Sequence, residues 1–510
     1  MQILGIDLGT TGTKAVLYDR DGKIISESYT EYSVSTPQSG WVELDPLLIW
    51  DALKDNISKT VNYSKEKNFA MSFSVLGDAV IPIGKDNAIL YPAMLSADIR
   101  SSKYVKQVEE RFGDKYIFDY SGRWAHTMCP LTKILWIRDH MPNIYKNAAK
   151  FLDVLSWVNL KLGFSAIMDG SSASATLYYD INNKKINDEV LEWAKIDKKK
   201  LPLVGASGEH LGTLSPEIAT ELGFKPGSRI DVSLGAMDQL CNALGTGTVE
   251  PGDSSCSTGT VECATIILPK TISDDELFNH HFIKVPTAIK DQFANMTVLW
   301  TGGGSLKWFR NNFCQGEIKE AQERGINVYD LIEQGERPIS DVFFLPHLAG
   351  SGTPWWDSLS KGAFIGLSLA SNKKQMIDAV MEGVTFSLDI SMKALEKLGL
   401  EKKRFAVIGG GSKSEKWNQL KADILNRKVI SMIYKEGGAL GASILAGYGI
   451  GIFKSMESKS KELAKVEKEY LPNKNKVSQY NQKFEIFKEI YPALKDINHK
   501  ISELDYSSSV

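Results

Sequence analysis

Asp7-Leu8-Gly9-Thr10-Thr11-Gly12-Thr13-Lys14 is the first stretch whose residue types fit a chemical task. Glycines let a backbone bend around an anion, and amide hydrogens and threonine hydroxyls then donate to phosphate oxygens. Asp7 ends the apolar run 3–6, where it could hold a magnesium ion through water, since Mg2+ prefers oxygen ligands and keeps several waters. The same residues would also make a plain tight turn. A second small polar turn, Ser257-Thr258-Gly259-Thr260, lies near the middle of the chain. Two such turns could clamp a triphosphate from both sides.

Further on, Gly235-Ala236-Met237-Asp238-Gln239 follows the strand-like run 230–234 and opens a helix of small residues. A carboxylate just past a strand end could accept a proton from a hydroxyl. It could equally cap the helix, which stabilises by itself. Thr301-Gly302-Gly303-Gly304-Ser305 precedes a helix, and Gly409-Gly410-Gly411-Ser412 joins the strand 405–408 to the helix 416–425. Glycines at such turns allow close approach of a ligand to a helix N-terminus, or simply relieve a crowded turn. The run 436–442 is expected to give close helix packing and no chemistry. No G-x-x-x-x-G-K-[ST] or G-x-G-x-x-G occurs, so a P-loop or Rossmann nucleotide site is unsupported. No H-E-x-x-H zinc motif occurs either.

The elements that must hold these residues read as mixed α and β. The start is strand, polar turn, strand, the hairpin signal Asp21-Gly22, and a third strand over 24–29. A helix follows over 46–63, with Leu48, Ile49, Leu53, Ile57 and Val61 at helical spacing. Strands and helices then alternate, which argues for an α/β architecture. The opening plan recurs after the loop 245–253, so two domains built alike are expected to meet near residue 248. Beyond residue 454 the chain is rich in Lys and Glu. Tyr480, Phe484, Phe487, Ile490, Tyr491 and Leu494 there are spaced for one docked helical face.

Composition narrows the function classes. The 510 residues carry 60 basic and 62 acidic side chains, a net charge of −2, so nucleic acid and anionic membranes are not expected partners. No apolar run reaches the roughly 18 residues of a membrane span. Five scattered cysteines without a C-x-x-C pair suggest reduced, buried thiols and a cytoplasmic protein.

Two long signatures sharpen this picture. The stretch 128–140, Met-Cys-Pro-Leu-Thr-Lys-Ile-Leu-Trp-Ile-Arg-Asp-His, resembles the first signature of the FGGY family of carbohydrate kinases. Gly362-Ala363-Phe364-Ile365-Gly366-Leu367, followed by 375–382, resembles the second, and the opening 5–11 resembles the family's first phosphate motif. The resemblance covers nearly the whole chain. It implies an RNase H-like fold in each of two domains, as in actin and hexokinase, with an active-site cleft between them. The first domain, 1–247, would bear the sugar site, the first phosphate motif and the catalytic aspartate. The second, 248–510, would bind the nucleotide and end in a helical tail.

By matching position the resemblance makes Asp238 the general base and Asp7 the magnesium-associated acid. Thr10, Thr11, Lys14, Thr258, Gly259, Thr260, Gly303 and Gly411 would surround ATP. Asp78, Asp98, Asp238 and Gln239 would meet the sugar. Phe73-Ser74-Val75-Leu76-Gly77-Asp78 stands where a xylulokinase usually carries Gln-Met-His-Gly and a glycerol kinase Asn-Gln-Arg-Glu. Glycerol is thereby disfavoured, and Asp78 would repel an anionic aldonate unless a cation lay between them. The expected activity is phosphorylation by Mg-ATP of a neutral ketose, pentuloses such as xylulose first. The alternatives are a kinase of a hexulose, tetritol or gluconate, a silent sugar-sensing or scaffolding member of the fold, and an actin-like ATPase. A homodimer is an open possibility for its assembly.

Overall fold

The computed structural model describes residues 1–335 and 338–504. The last six residues of the second expected domain lie outside these. By contacts the chain forms two compact units. One comprises Met1–Val249, Ile283–Ala294 and Glu436–Ala464; the other comprises Glu250–Phe282, Asn295–Lys435 and the chain from Lys465 onward. The chain first leaves the first unit at Val249, just past the sequence boundary, and then returns to it twice, so neither unit is one unbroken stretch.

In the first unit the strand Gln2–Leu8 is central. It pairs antiparallel with Gly12–Tyr18, which pairs antiparallel with Ile24–Glu31. On its other side it runs parallel to Asn68–Val75. That strand is in turn parallel to Arg229–Ser233 and to the short Ala236–Met237, and His210–Thr213 closes the edge antiparallel to Arg229–Ser233. Gln2–Leu8 and Asn68–Val75 are buried along almost their full length, as expected for strands covered on both faces. Ile24–Glu31 instead alternates half-buried and exposed residues, the pattern of a strand covered on one face.

The covering helices follow from local signals. Pro46–Asn62 starts at Pro46 behind Asp45, whose side chain accepts from Leu47 N, and it lies on Gly12–Tyr18 and Ile24–Glu31. Gly437–Gly449 packs on Gln2–Leu8, Asn68–Val75 and Asp238–Gly245. This contact needs small residues: a Cβ on Gly5 would stand 1.9 Å from Ala439 O, and one on Gly441 would stand 2.0 Å from Cys241 O. The expectation of close helix packing over 436–442 is met here. A second core in this unit gathers around Pro130–His140, the helix of the first signature, with Ile134, Leu135, Trp136 and Ile137 buried.

The second unit repeats the plan. Ser254–Thr258 pairs antiparallel with Glu262–Ile267 and parallel with Phe405–Ile408, which runs parallel to Val429–Met432. Its main apolar core joins Lys373–Lys397, Glu415–Leu425 and the tail helix Lys474–Ser502. Tyr480, Phe484, Phe487, Ile490 and Tyr491 are the buried face of that tail, matching the spacing read from the sequence. All five cysteines are buried, and none forms a disulfide among the described residues. Among the described residues no helix is long and apolar enough to cross a membrane.

Candidate active site

Three acidic residues sit at the carboxyl ends of three neighbouring parallel strands of the first unit. Asp7 is the penultimate residue of Gln2–Leu8, in register with Ser74 of Asn68–Val75. Ser74 is in turn in register with Ala236. Asp78 lies three residues past Val75, and Asp238 directly follows Met237 and opens the helix Asp238–Gly245. Carboxyl ends of parallel strands are where open α/β sheets present loops to ligands. The topology alone therefore gathers residues 7, 78 and 238, far apart in sequence.

Each carboxylate is held from outside the sheet ladder. Ser74 Oγ donates to Asp7 Oδ1 at 2.5 Å, and Asp7 Oδ2 has no protein partner among the described residues. Gly438 closes over this pair, where a Cβ would stand 2.7 Å from Asp7 Oδ1. Gln239 N donates to Asp238 Oδ1 at 2.6 Å. The turn before Asp238 is pinned by Met237 N donating to Ser171 Oγ at 3.1 Å, while Ser171 Oγ donates to the buried Asp169 at 2.6 Å. Asp78 adopts a left-handed backbone, φ 66°, which aspartate tolerates better than most residues. Its backbone carbonyl accepts from the buried Lys133 Nζ of the first-signature helix.

Burial raises all three carboxyls, as it does Asp153 and the buried Asp389 outside this group. Burial pushes the Asp238 carboxyl up to about 7, and the charge of Asp7 adds to that, with a smaller push from Asp78. Burial likewise pushes Asp7 up to about 6, against the hydrogen bond from Ser74. Burial raises Asp78 too, opposed by the cations Arg123 and Lys133. Of the three, Asp238 lies nearest neutrality, the titration a general base requires.

The turn 9–12 is shaped for an anion. Gly9 N donates to Gly12 O, and Tyr32 Oη donates to Gly9 O at 2.6 Å. The hydroxyls of Thr10 and Thr11 are exposed and without a protein partner among the described residues. Lys14 is more committed than the sequence suggested: its ammonium pairs with Glu27 at 3.1 Å and Glu436 at 2.8 Å. An ammonium has three donors, so one remains.

The second unit holds a cavity of about 380 Å³ lined by residues 258–260, Gly303, Gly304, Tyr329, Glu333, Gly410, Gly411, Ser414 and Trp417. That volume suits a small-molecule ligand. Three turns converge on it so tightly that side chains are excluded. A Cβ on Gly303 would stand 2.5 Å from Gly259 O, and one on Gly411 would stand 2.6 Å from Thr258 Cγ2. Thr258 lines the cavity with its methyl side only. Its hydroxyl is buried, donates to Glu262 Oε2 at 2.7 Å and accepts from Lys421 Nζ at 2.7 Å. Lys421 Nζ also reaches Glu262 Oε2 at 2.6 Å. The hydroxyl proton is thus taken, and the expected donation from Thr258 Oγ1 to a phosphate gives way to a bracing role beneath the turn. Gly259 and Thr260 are exposed at its tip.

Asp98 also departs from expectation. It is fully buried, and its oxygens accept from Val42 N at 2.7 Å, from Arg100 N at 3.1 Å and from Arg100 Nε and Nη2. Arg100 in turn stacks 3.6 Å from the Trp41 ring and pairs with Glu43 at 2.8 Å. Its oxygens are committed to Val42 N and Arg100, so in place of the expected sugar contact the structure gives Asp98 a bracing role on Arg100. The sequence reading missed Arg123, the cation nearest in effect to Asp78; no motif surrounds it. Among the described residues no group of three or more His, Cys, Asp or Glu could hold a metal ion. Asp7 with one uncommitted oxygen still suits Mg2+, which is commonly bound through one or two carboxylates, waters and substrate phosphates.

Residues 2–245 match the N-terminal domain model, and residues 254–450 the C-terminal domain model, of the FGGY family of carbohydrate kinases. The chain belongs to this family, and is an ATP-dependent carbohydrate kinase of the two-domain actin and hexokinase type. It is 30% identical to a xylulose kinase of Lactococcus lactis over 512 aligned positions, covering 99% of each chain. It is also 30% identical to a gluconokinase of Bacillus subtilis, covering 90% of this chain and 89% of that one. The ligand-bound xylulose kinase of Lactobacillus acidophilus superposes with a TM-score of 0.87 at 25% identity, covering 98% of this chain and 99% of that one.

Proposed function

We propose that this kinase transfers the γ-phosphate of ATP to a hydroxyl of a neutral ketose, pentuloses such as xylulose first, with Asp238 as general base. The observation that carries this reading is the set Asp7, Asp78 and Asp238 at the ends of adjacent parallel strands, with Asp238 pushed up to about 7. Phosphoryl transfer needs positioning and charge neutralisation more than covalent help from the protein. Asp238 accepts the proton of the attacking hydroxyl, a contribution of about 10²–10⁴ in rate. Its hydrogen bond from Gln239 N fixes the carboxylate, leaving the second oxygen for the substrate.

Thr10 and Thr11 hydroxyls, the backbone amides of the turn and the third donor of Lys14 serve the phosphates from the first unit. Gly259, Thr260, Gly303 and Gly411 line the nucleotide cavity of the second. Asp7 is the residue placed to hold Mg2+ through water; when bound, the ion offsets phosphate charge. Asp78 accepts from a sugar hydroxyl, which suits a neutral acceptor better than an aldonate. The whole-length similarity to the Lactococcus lactis xylulose kinase supports a pentulose.

A coupled ATPase assay over pentuloses, hexuloses, polyols, glycerol and gluconate tests the reading. The expected result is turnover stimulated most by a pentulose. Best activity on glycerol or gluconate, or no stimulation by any acceptor, overturns it.

A further inference from the structure

Arg123 is 4% exposed, yet its Nε and Nη2 have no hydrogen-bond partner among the described residues. These two atoms form the side-on edge of a guanidinium, which presents two parallel N–H donors to a pair of neighbouring oxygens. A buried donor edge left empty costs free energy unless something completes it.

The backbone around Arg123 is fixed. It follows the left-handed Gly122, φ 69°, that ends the helix Asp114–Ser121. Arg123 N donates to Ser121 Oγ at 3.1 Å, and Ser121 Oγ donates back to Arg123 O at 3.4 Å. The carbonyl of the next residue, Trp124, accepts from Cys129 Sγ at 3.8 Å. One turn further along the helix from Cys129, Lys133 Nζ donates to the carbonyl of Asp78. These contacts tie the backbone at Arg123 to the start of the helix whose Lys133 meets Asp78. The charge of Arg123 acts on the Asp78 carboxyl more strongly than that of Lys133, although no hydrogen bond joins them. Asp78 Oδ1 is itself buried and unpartnered among the described residues.

Resting on the kinase reading above, we propose that Arg123 is a specificity-determining residue of the acceptor site: its Nε–Nη2 edge grips two adjacent oxygens of a neutral sugar while Asp78 accepts from a hydroxyl beside them. A vicinal diol, or a hydroxyl next to a carbonyl, can accept from Arg123 and donate to Asp78 at once. A carboxylate would match the fork but bring a second negative charge up to Asp78, and the other nearby cation, Lys133, is turned onto the carbonyls of Asp78 and Met94.

Arg123→Lys and Arg123→Gln test this, with isothermal titration of each acceptor in the absence of ATP beside steady-state kinetics. Lysine keeps the charge without the fork. Both variants should weaken binding and raise the KM of the preferred ketose by roughly 10- to 100-fold, with the KM for ATP and the melting temperature unchanged. Ketose affinity within threefold of the parent in either variant overturns the assignment. So does an equal rise in the KM for ATP, which marks a merely structural residue. Tighter binding of gluconate than of any neutral acceptor, lost in Arg123→Gln, overturns the neutral class. The calorimetric arm decides on Arg123 even where turnover fails, so the two readings fail separately.

Discussion

Replacing Asp238 by Asn separates its chemistry from its cost to the fold. Its carboxyl is held at about 7 against an ordinary 3.8, about 3 units. At 1.36 kcal/mol per unit this would be about 4 kcal/mol for a group fully shielded from water. Asp238 is only part-buried, so solvent screening brings the expected cost to about 1–2 kcal/mol. The direction follows from linkage. A carboxyl whose folded pKa is raised binds its proton more tightly in the folded state, so stability is greatest below pH 3.8 and declines until about pH 7. At about pH 8 the parent bears the whole cost, and Asp238→Asn escapes it. At about pH 5 only about a third of that cost has accrued.

Differential scanning fluorimetry at the two pH values reads this directly. At about 2–4 °C per kcal/mol for a domain of this size, Asp238→Asn should melt about 2–8 °C above the parent at about pH 8, and by about a third of that margin at about pH 5. The same variant should lose ~10²-fold or more in kcat. In the parent, kcat/KM for the sugar should fall tenfold per pH unit below about 7, where the base becomes protonated. Turnover within threefold of the parent would refute the base assignment. A thermal gain equal at both pH values would refute the electrostatic account of the site.

Asp7→Asn should raise the Mg2+ concentration needed for half-maximal activity and lower kcat, and an unchanged magnesium titration would remove Asp7 from the metal. Asp78→Asn keeps a residue suited to φ 66° while removing the charge; it should raise the KM of the ketose by roughly tenfold and leave that of ATP unchanged, as steady-state kinetics will read. Lys421→Met leaves Glu262 buried and unpaired, so denaturant titration should show a loss of about 3–5 kcal/mol. The double variant Lys421→Met/Glu262→Gln should recover part of that loss, and no recovery would mean that the pair is not the cause.

Much of this site was legible in the sequence because its parts are local. Asp7 with its threonine turn, and Asp238 after a buried strand, each stand within a short run of residues that points to them, as do the glycine turns at 302–304 and 409–411. What stayed hidden is non-local. The Thr258 hydroxyl donates to Glu262, and the Lys421 that completes the set lies 163 positions away. Asp98 looks like a sugar-facing acid in sequence and becomes a brace only once Trp41, Glu43 and Arg100 fold around it. Arg123 has no motif at all. Its significance lies in two donors that nothing among the described residues satisfies, a property of packing and not of spacing. The return of the chain to the first unit stayed hidden for a similar reason: the run 436–442 follows the second unit in sequence, but its small residues fit against Gly5 and the helix Asp238–Gly245.

The repeated sheet plan also gives the two units different chemistry at their strand ends. In each unit a hairpin strand and its parallel neighbour end in loops on the same side. The first unit places carboxylates at those ends; burial raises them, and the charge of Asp7 helps lift Asp238 toward the neutrality a proton acceptor requires. The second unit instead ends its strands in glycines, whose backbone can approach a ligand. The carboxylate beneath its glycine turn, Glu262, is neutralised by Lys421 and bonded through Thr258. Removing Lys421 should therefore harm nucleotide binding as well as stability. Glu262 would keep its charge under that turn, and the KM for ATP should rise while sugar affinity, measured by titration without ATP, stays within threefold. A rise in the sugar dissociation constant matching that for ATP would refute this division of labour.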